Sequence, residues 1–265
     1  MGSWVILLRV ATSIAQVGMI LSPTPDIVNV CKQKSTGEMA ALPLVAMIVN
    51  NHLWALYGYL TDSIFPLMVT QLFGELAAFV FVAVYYRWCS DRRALNKLLA
   101  GGLVLYLVTT AYVVLGLASV TDQKKDEVGK SLGYAGILIN IWMYASPLGT
   151  VRHVLATKSS ASLPINLSVM MLFTTTLWVA TSIVDNDMII MSLNIAGVLL
   201  SIIQITLYMR FRPKNQEQTG IDDEALEFAG KQISVVVASP KDGILDGIKS
   251  PVYQSLPSPT RTTRM

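Results

Sequence analysis

Along residues 1–210 the chain alternates between apolar runs of about twenty residues and short polar stretches. A helix needs a run of that length to cross the hydrocarbon core of a bilayer. Seven such runs are present, at about 4–30, 40–60, 64–86, 96–119, 132–155, 163–184 and 187–210. Arg9 interrupts the first, and no small-residue cleavage site follows it, so it reads as a retained span rather than a removable leader. After residue 212 the pattern stops. Residues 213–265 hold five of the eleven prolines and mix acidic with basic side chains, which predicts a disordered tail. In it Ser239, Ser250 and Ser258 each precede proline and are candidates for proline-directed phosphorylation.

The polar stretches alternate in charge. One set carries Lys32, Lys34, Arg87, Arg92, Arg93, Lys97, Arg152, Lys158, Arg210, Arg212 and Lys214; the other carries Asp62, Asp122, Asp126, Glu127, Asp185 and Asp187. Basic loops stay cytoplasmic, so the N-terminus is expected outside and the tail inside. Composition agrees with a membrane protein. Hydrophobic residues make up 53% of the chain and charged residues 14%, against about 25% in soluble domains. Mean hydropathy is +0.53. Cys31 and Cys89 form neither a disulfide framework nor a zinc pattern. No metal, cofactor or nucleic-acid partner is expected; the lipid bilayer is.

The chain also repeats itself. "LSPTPDIVNVCKQKST" at 21–36 returns as "ASPLGTVRHVLATKSS" at 145–160, pairing Ser22 with Ser146, Pro23 with Pro147, Val30 with Val154, Lys34 with Lys158 and Ser35 with Ser159. The separation is 124 residues throughout, and it also pairs Trp54 with Trp178; Gly74 and Gly197 differ by 123, and Pro43 and Pro164 by 121. Spans one to three and five to seven are therefore two versions of one three-helix unit. Three spans reverse direction, so directly fused copies would be inverted. The unmatched fourth span restores the direction and makes the copies parallel, a known transporter plan. The predicted fold is all-α integral membrane, two parallel three-helix bundles joined by a linker helix. The first bundle covers 1–90, the linker 91–121, the second bundle 122–212 and the cytoplasmic tail 213–265.

This layout, with "SPTPDIVNVCKQKST", "LPLVAMIVNNHLWALYG", "MYASPLGTVRHVLATKSSASLP" and a seventh span centred on Asn194, resembles the SWEET sugar transporters over about residues 5–211. The resemblance implies bidirectional, facilitative movement of mono- or disaccharides by alternating access, at a plasma or internal membrane, and assembly into homo-oligomers. It also implies hinge prolines in spans one, two, five and six, here Pro23, Pro43, Pro147 and Pro164. A proline inside a helix removes a backbone hydrogen bond and permits bending.

A sugar needs flat apolar walls and side chains that both donate and accept. In the second span Asn50, Trp54 and Tyr57 share a face, and in the sixth Thr174, Trp178 and Thr181 do so. Asn194, Gly197, Ser201 and Gln204 form a polar stripe in the seventh span, which Gln71, Gly74 and Ala78 echo in the third. Substrate contact is expected from Asn194, Trp178, Trp54, Gln71, Asn50 and Thr174. Gln71 departs from the family's usual asparagine. The resemblance makes Tyr57 and Asp187 an outer gate; Leu42 and Leu163, each preceding a proline, form an inner one. Glu75 is ionisable within a span and so a functional candidate. His52 points away from Trp54, toward an interhelical partner. No paired histidines or facing carboxylates suggest an enzyme. A seven-helix receptor would lack the tandem repeat. The remaining alternative is a proton-coupled amino-acid transporter of the PQ-loop type, although its proline-glutamine dipeptides are missing.

Overall fold

The computed structural model describes residues 2–37, 39–158, 160 and 165–211, and the backbone alone at 142–147. Leu163, Pro164, the tail and its serines lie outside the described residues, as does the side chain of Pro147. Eight helices are described: α1 (Ser3–Ile20), α2 (Thr24–Gln33), α3 (Leu42–Leu60), α4 (Val69–Trp88), α5 (Arg92–Leu117), α6 (Lys125–Thr157), α7 (Ile165–Asp185) and α8 (Met188–Phe211). A π-helical turn, Ile64–Met68, leads into α4. Among the described residues the chain is all-helical, a multi-pass membrane protein of the three-one-three type.

The first span, expected to be continuous, is two helices. Pro23 and Pro25 lack the N–H groups that an unbroken helix would need, so the chain turns at Leu21–Pro23 and restarts. Pro25 then falls in the first turn of α2, where a proline costs nothing. Pro43 likewise falls in the first turn of α3 rather than in its interior. It removes no intrahelical bond and fixes where α3 begins. Pro147, by contrast, lies within an unbroken α6.

The repeat is written into the backbone as well as the sequence. Lys34 ends α2 and Lys158 ends α6, both left-handed, with φ of 51°. Asp62 and Asn186, also 124 apart, take the same left-handed form in the turns after α3 and α7, with φ of 56° and 54°. Few residues tolerate that region, so its recurrence at two matched pairs marks the same turn built twice.

Packing follows the duplication. Within the first unit α4 packs on α3 and on α1 and α2; within the second, α8 packs on α7 and α6. In each unit the third span thus lies between the first two. Between units α1 meets α7 and α3 meets α6. Exchanging the units turns one of these seams into the other, as a twofold axis along the membrane normal requires. The linker α5 rests on α3 and α6.

By length and composition five segments could cross a membrane: Ser3–Gln33, Ile64–Trp88, Arg92–Leu117, Ile165–Asp185 and Met188–Phe211. The two that complete seven, α3 and α6, are the ones packed against each other at the α3–α6 seam. α3 carries Asn51 and His52 buried, and α6 places Asn140 against α3. Polar side chains covered by other helices lower a helix's hydropathy without exposing anything to lipid. The end bearing Asp62, Asp122 and Asp187 is called the outer end below.

Candidate functional site

Three consecutive residues of α3 face three directions. Asn50 accepts a hydrogen bond from Asn140 Nδ2 of α6 at 3.3 Å. Asn51 points into the first bundle; a Cβ on Gly74 of α4 would lie 2.8 Å from its Nδ2. His52 turns toward α5, as expected of an interhelical partner, and its Nε2 is 2.8 Å from Thr110 Oγ1. The 100° step of a helix makes this fan. One turn on, Trp54 and Tyr57 return to the α6 side, where glycines receive them. A Cβ on Gly136 would come within 2.8 Å of the Trp54 ring, and one on Gly133 within 2.7 Å of the Tyr57 ring.

On the matching α1–α7 seam, Trp178 donates its indole N–H to Gln16 Oε1 at 2.8 Å. Thr12 and Thr181 hydroxyls meet at 2.9 Å, and Arg9 pairs with Asp185. Gln16 and Asn140 are themselves 124 apart. Each repeat therefore sets an amide of its first span against a residue of the other repeat's second span. Both tryptophans are buried, at 3% and 6% exposure, inside one apolar cluster that spans the two units.

The two residues expected at an outer gate are in contact. Tyr57 donates its phenol to Asp187, 2.9 and 3.0 Å from the two carboxylate oxygens. Asp187 also accepts the backbone N–H groups of Ile189 and Ile190, so it caps α8 as well. At the other turn Lys125 pairs with Asp62. These cross-unit contacts gather at the outer end, which is closed. The buried residues of a second apolar cluster, at the inner end of the first unit, come from α2, α3, α4 and α5.

Other expected residues are not brought into mutual contact. Gln71 and Thr174 are buried, and Gln71 Oε1 and Thr174 Oγ1, like Asn51 Nδ2, have no hydrogen-bond partner. Asn194 is half-buried and donates to its own helix at Ile190 O, 2.8 Å. In the polar stripe of α8, Gln204 accepts from Ser168 of α7 at 3.2 Å, and so ties two helices of one unit. Leu42 and Pro43 are half-buried at the start of α3, and Pro23 is half-buried at the α1–α2 turn.

Glu75 does not face the paired tryptophans. Its Oε1 accepts the Tyr106 phenol at 2.8 Å and lies 3.4 Å from His52 Nδ1. The Tyr106 and His52 rings stack with centroids 3.5 Å apart. Thr110 donates to Tyr106 O, and its oxygen stands against His52 Nε2, so the imidazole bridges a hydroxyl and a carboxyl group. The first repeat is fastened to the linker helix by this cluster. Sequence reasoning missed Gln16, Asn140 and the Arg9 pairing. The 124-residue register, applied to isolated amides in apolar spans, would have found the first two.

A family model described as "Sugar efflux transporter for intercellular exchange" matches residues 6–93 and 130–216. The chain is similar to the sugar transporter SWEET1 of Drosophila pseudoobscura pseudoobscura, 26% identical over 71% of this chain and 81% of that one. It is 29% identical to the bidirectional sugar transporter SWEET7 of Arabidopsis thaliana over 72% of this chain and 74% of the relative. In three dimensions it resembles a eukaryotic SWEET transporter solved at 3.7 Å, with a TM-score of 0.66 and 21% identity over 78% of this chain and 96% of that one.

Proposed function

The chain belongs to the family of sugar efflux transporters for intercellular exchange, and from that membership we propose that it carries mono- or disaccharides down their gradient, in both directions, by alternating access. The observation that supports this most is the matched pair Trp54 and Trp178. Both are buried and both face the opposite repeat; Trp178 donates to the Gln16 amide, and Trp54 lies one helical turn from Asn50, which the Asn140 amide meets. Two rigid ring platforms suit the C–H faces of a sugar. The buried, unpartnered polar atoms of Gln71, Thr174 and Asn51 suit its hydroxyls, because an unmet buried group costs free energy that a ligand hydroxyl can return. Asn50 and Asn194 complete the proposed lining.

Residues 1–90 and 122–212 are the two units that rock about this site, with 91–121 as the tether. Tyr57 and Asp187 open and close the outer end; Leu42 and Leu163 serve the inner one. Pro23 and Pro147 are the proposed hinges of the first spans of the two units, and Pro43 and Pro164 those of the second spans. The charge of the loops supports an N-terminus outside and a tail in the cytoplasm; the plasma membrane is the proposed location, with an internal membrane as the alternative. Self-association is tested by the mass of the detergent-purified protein.

The deciding measurement is uptake of labelled glucose, sucrose and a cationic amino acid into vesicles bearing the protein, with and without a proton gradient. Gradient-independent sugar flux, lost in Trp178→Ala and Asn194→Ala, is expected. Proton-driven amino-acid flux would overturn the proposal.

A further inference from the structure

Arg9 is a cation in the outer part of an apolar span, where charge is costly unless it is paired and used. Its partner is Asp185 at the end of α7, with side-chain exposures of 19% and 17%. The pair is the outermost rung of a ladder. Counting inward on α1, Arg9, Thr12 and Gln16 meet Asp185, Thr181 and Trp178 on α7. The steps of three and four residues keep each set on one helix face, and the descending numbers show two antiparallel helices zipped by side chains.

The matched seam is built differently. The register of 124 carries Arg9 to Gly133 and Thr12 to Gly136. There aromatic rings lie on glycines, and the polar link at that end is Tyr57 to Asp187. Asp185 ends α7, and Asp187 stands two residues on, in the short turn before α8. Two helices of the first unit, α1 and α3, therefore grip a single turn of the second, one by an ion pair and one by a phenol.

Resting on the alternating-access reading above, we propose that Arg9 and Asp185 form a charged latch on the outer end, which must part each time that end opens. Gln16 and Trp178 sit on the same ladder, so a substrate that engages Trp178 loads the seam the latch holds shut. The ion pair spans the two units and holds only while the seam is closed, so breaking it removes a contact that the closed form has and the open form lacks, and favours the open form.

The test is thiol accessibility in the full chain, with Cys31→Ser and Cys89→Ser removing the native thiols. Thr12→Cys places a reporter behind the latch, at a position that is fully buried when the end is closed. A membrane-impermeant thiol reagent is applied from the side of the N-terminus. Arg9→Gln and Asp185→Asn are each expected to raise the modification rate by about fivefold or more. Arg9→Lys keeps the charge and is expected to stay near the parental rate. Asp185→Asn is an independent arm should an Arg9 variant fail to reach the membrane.

Unchanged rates in the neutral variants overturn the latch, and so does an Arg9→Lys rate equal to that of Arg9→Gln. The readout needs no sugar. A responsive reporter in a chain that moves no sugar would refute the transport reading and leave the latch standing; sugar flux with an unresponsive reporter would do the reverse.

Discussion

The buried cluster of His52, Glu75, Tyr106 and Thr110 offers a measurement with a defined size. The side chains of His52 and Glu75 are 10% and 9% exposed, so both groups have given up most of their water. A buried polar group left without its partner costs about 1–3 kcal/mol. Glu75→Leu takes the acceptor from the Tyr106 phenol and the neighbour from His52, and His52→Leu leaves the Glu75 carboxyl with the phenol alone. Each single variant is therefore expected to lower the melting temperature by roughly 2–12 °C, taking 2–4 °C per kcal/mol for a chain of this size. The triple variant His52→Leu, Glu75→Leu, Tyr106→Phe removes all three polar groups together. Thr110 remains satisfied by its bond to Tyr106 O. Replacing a whole buried polar unit by apolar groups is often close to neutral, so the triple variant should melt above either single. The assay is a thermal ramp of detergent-purified protein, read by the soluble fraction on size exclusion. A triple variant that melts at the sum of the separate losses would show that the groups are not coupled, and the argument fails.

Three further outcomes follow from the seams. Gly136→Val puts a Cβ 2.8 Å from the Trp54 ring, an overpacking cost of about 1–3 kcal/mol, and should suppress sugar uptake; Gly101→Ala, with nothing within 4 Å, should leave it unchanged. Trp178→Phe keeps a ring but deletes the hydrogen bond to Gln16, worth about 1 kcal/mol, so initial uptake rates should fall several-fold while Trp178→Ala abolishes them. At Asp187 two roles separate. Asp187→Asn preserves a side chain able to cap α8, whereas Asp187→Ala loses the cap as well, and a melting curve should place the alanine variant lower by about 1 kcal/mol.

Much of this architecture is legible in the sequence because lipid imposes a length and duplication imposes a register. The spans, the unmatched linker and the partnership of Tyr57 with Asp187 follow from those two constraints and the resemblance they reveal. The break at Leu21–Pro23 was harder to read. Two prolines two apart permit either a kink or a stop, and the apolar run passes through both. Glu75 shows a different limit. Its place within an apolar span marked it as a functional candidate, but it is held by His52 of α3 and Tyr106 of α5, and α5 has no counterpart in the other half and so no register to predict the contact. The orientation of His52 could be inferred from helix geometry, whereas its partners required the folded chain. Arg9 read as an interruption because the residue that neutralises it is 176 positions away.

The placement of α4 between α1–α2 and α3, and of α8 between α6 and α7, bears on how the protein is made. As the ribosome delivers spans in order, the first two of each unit enter the membrane without the wedge that joins them. They must wait, side by side or apart, until the third arrives. Nascent chains halted just before Val69 or Met188 should therefore be far easier prey for membrane proteases than chains one span longer.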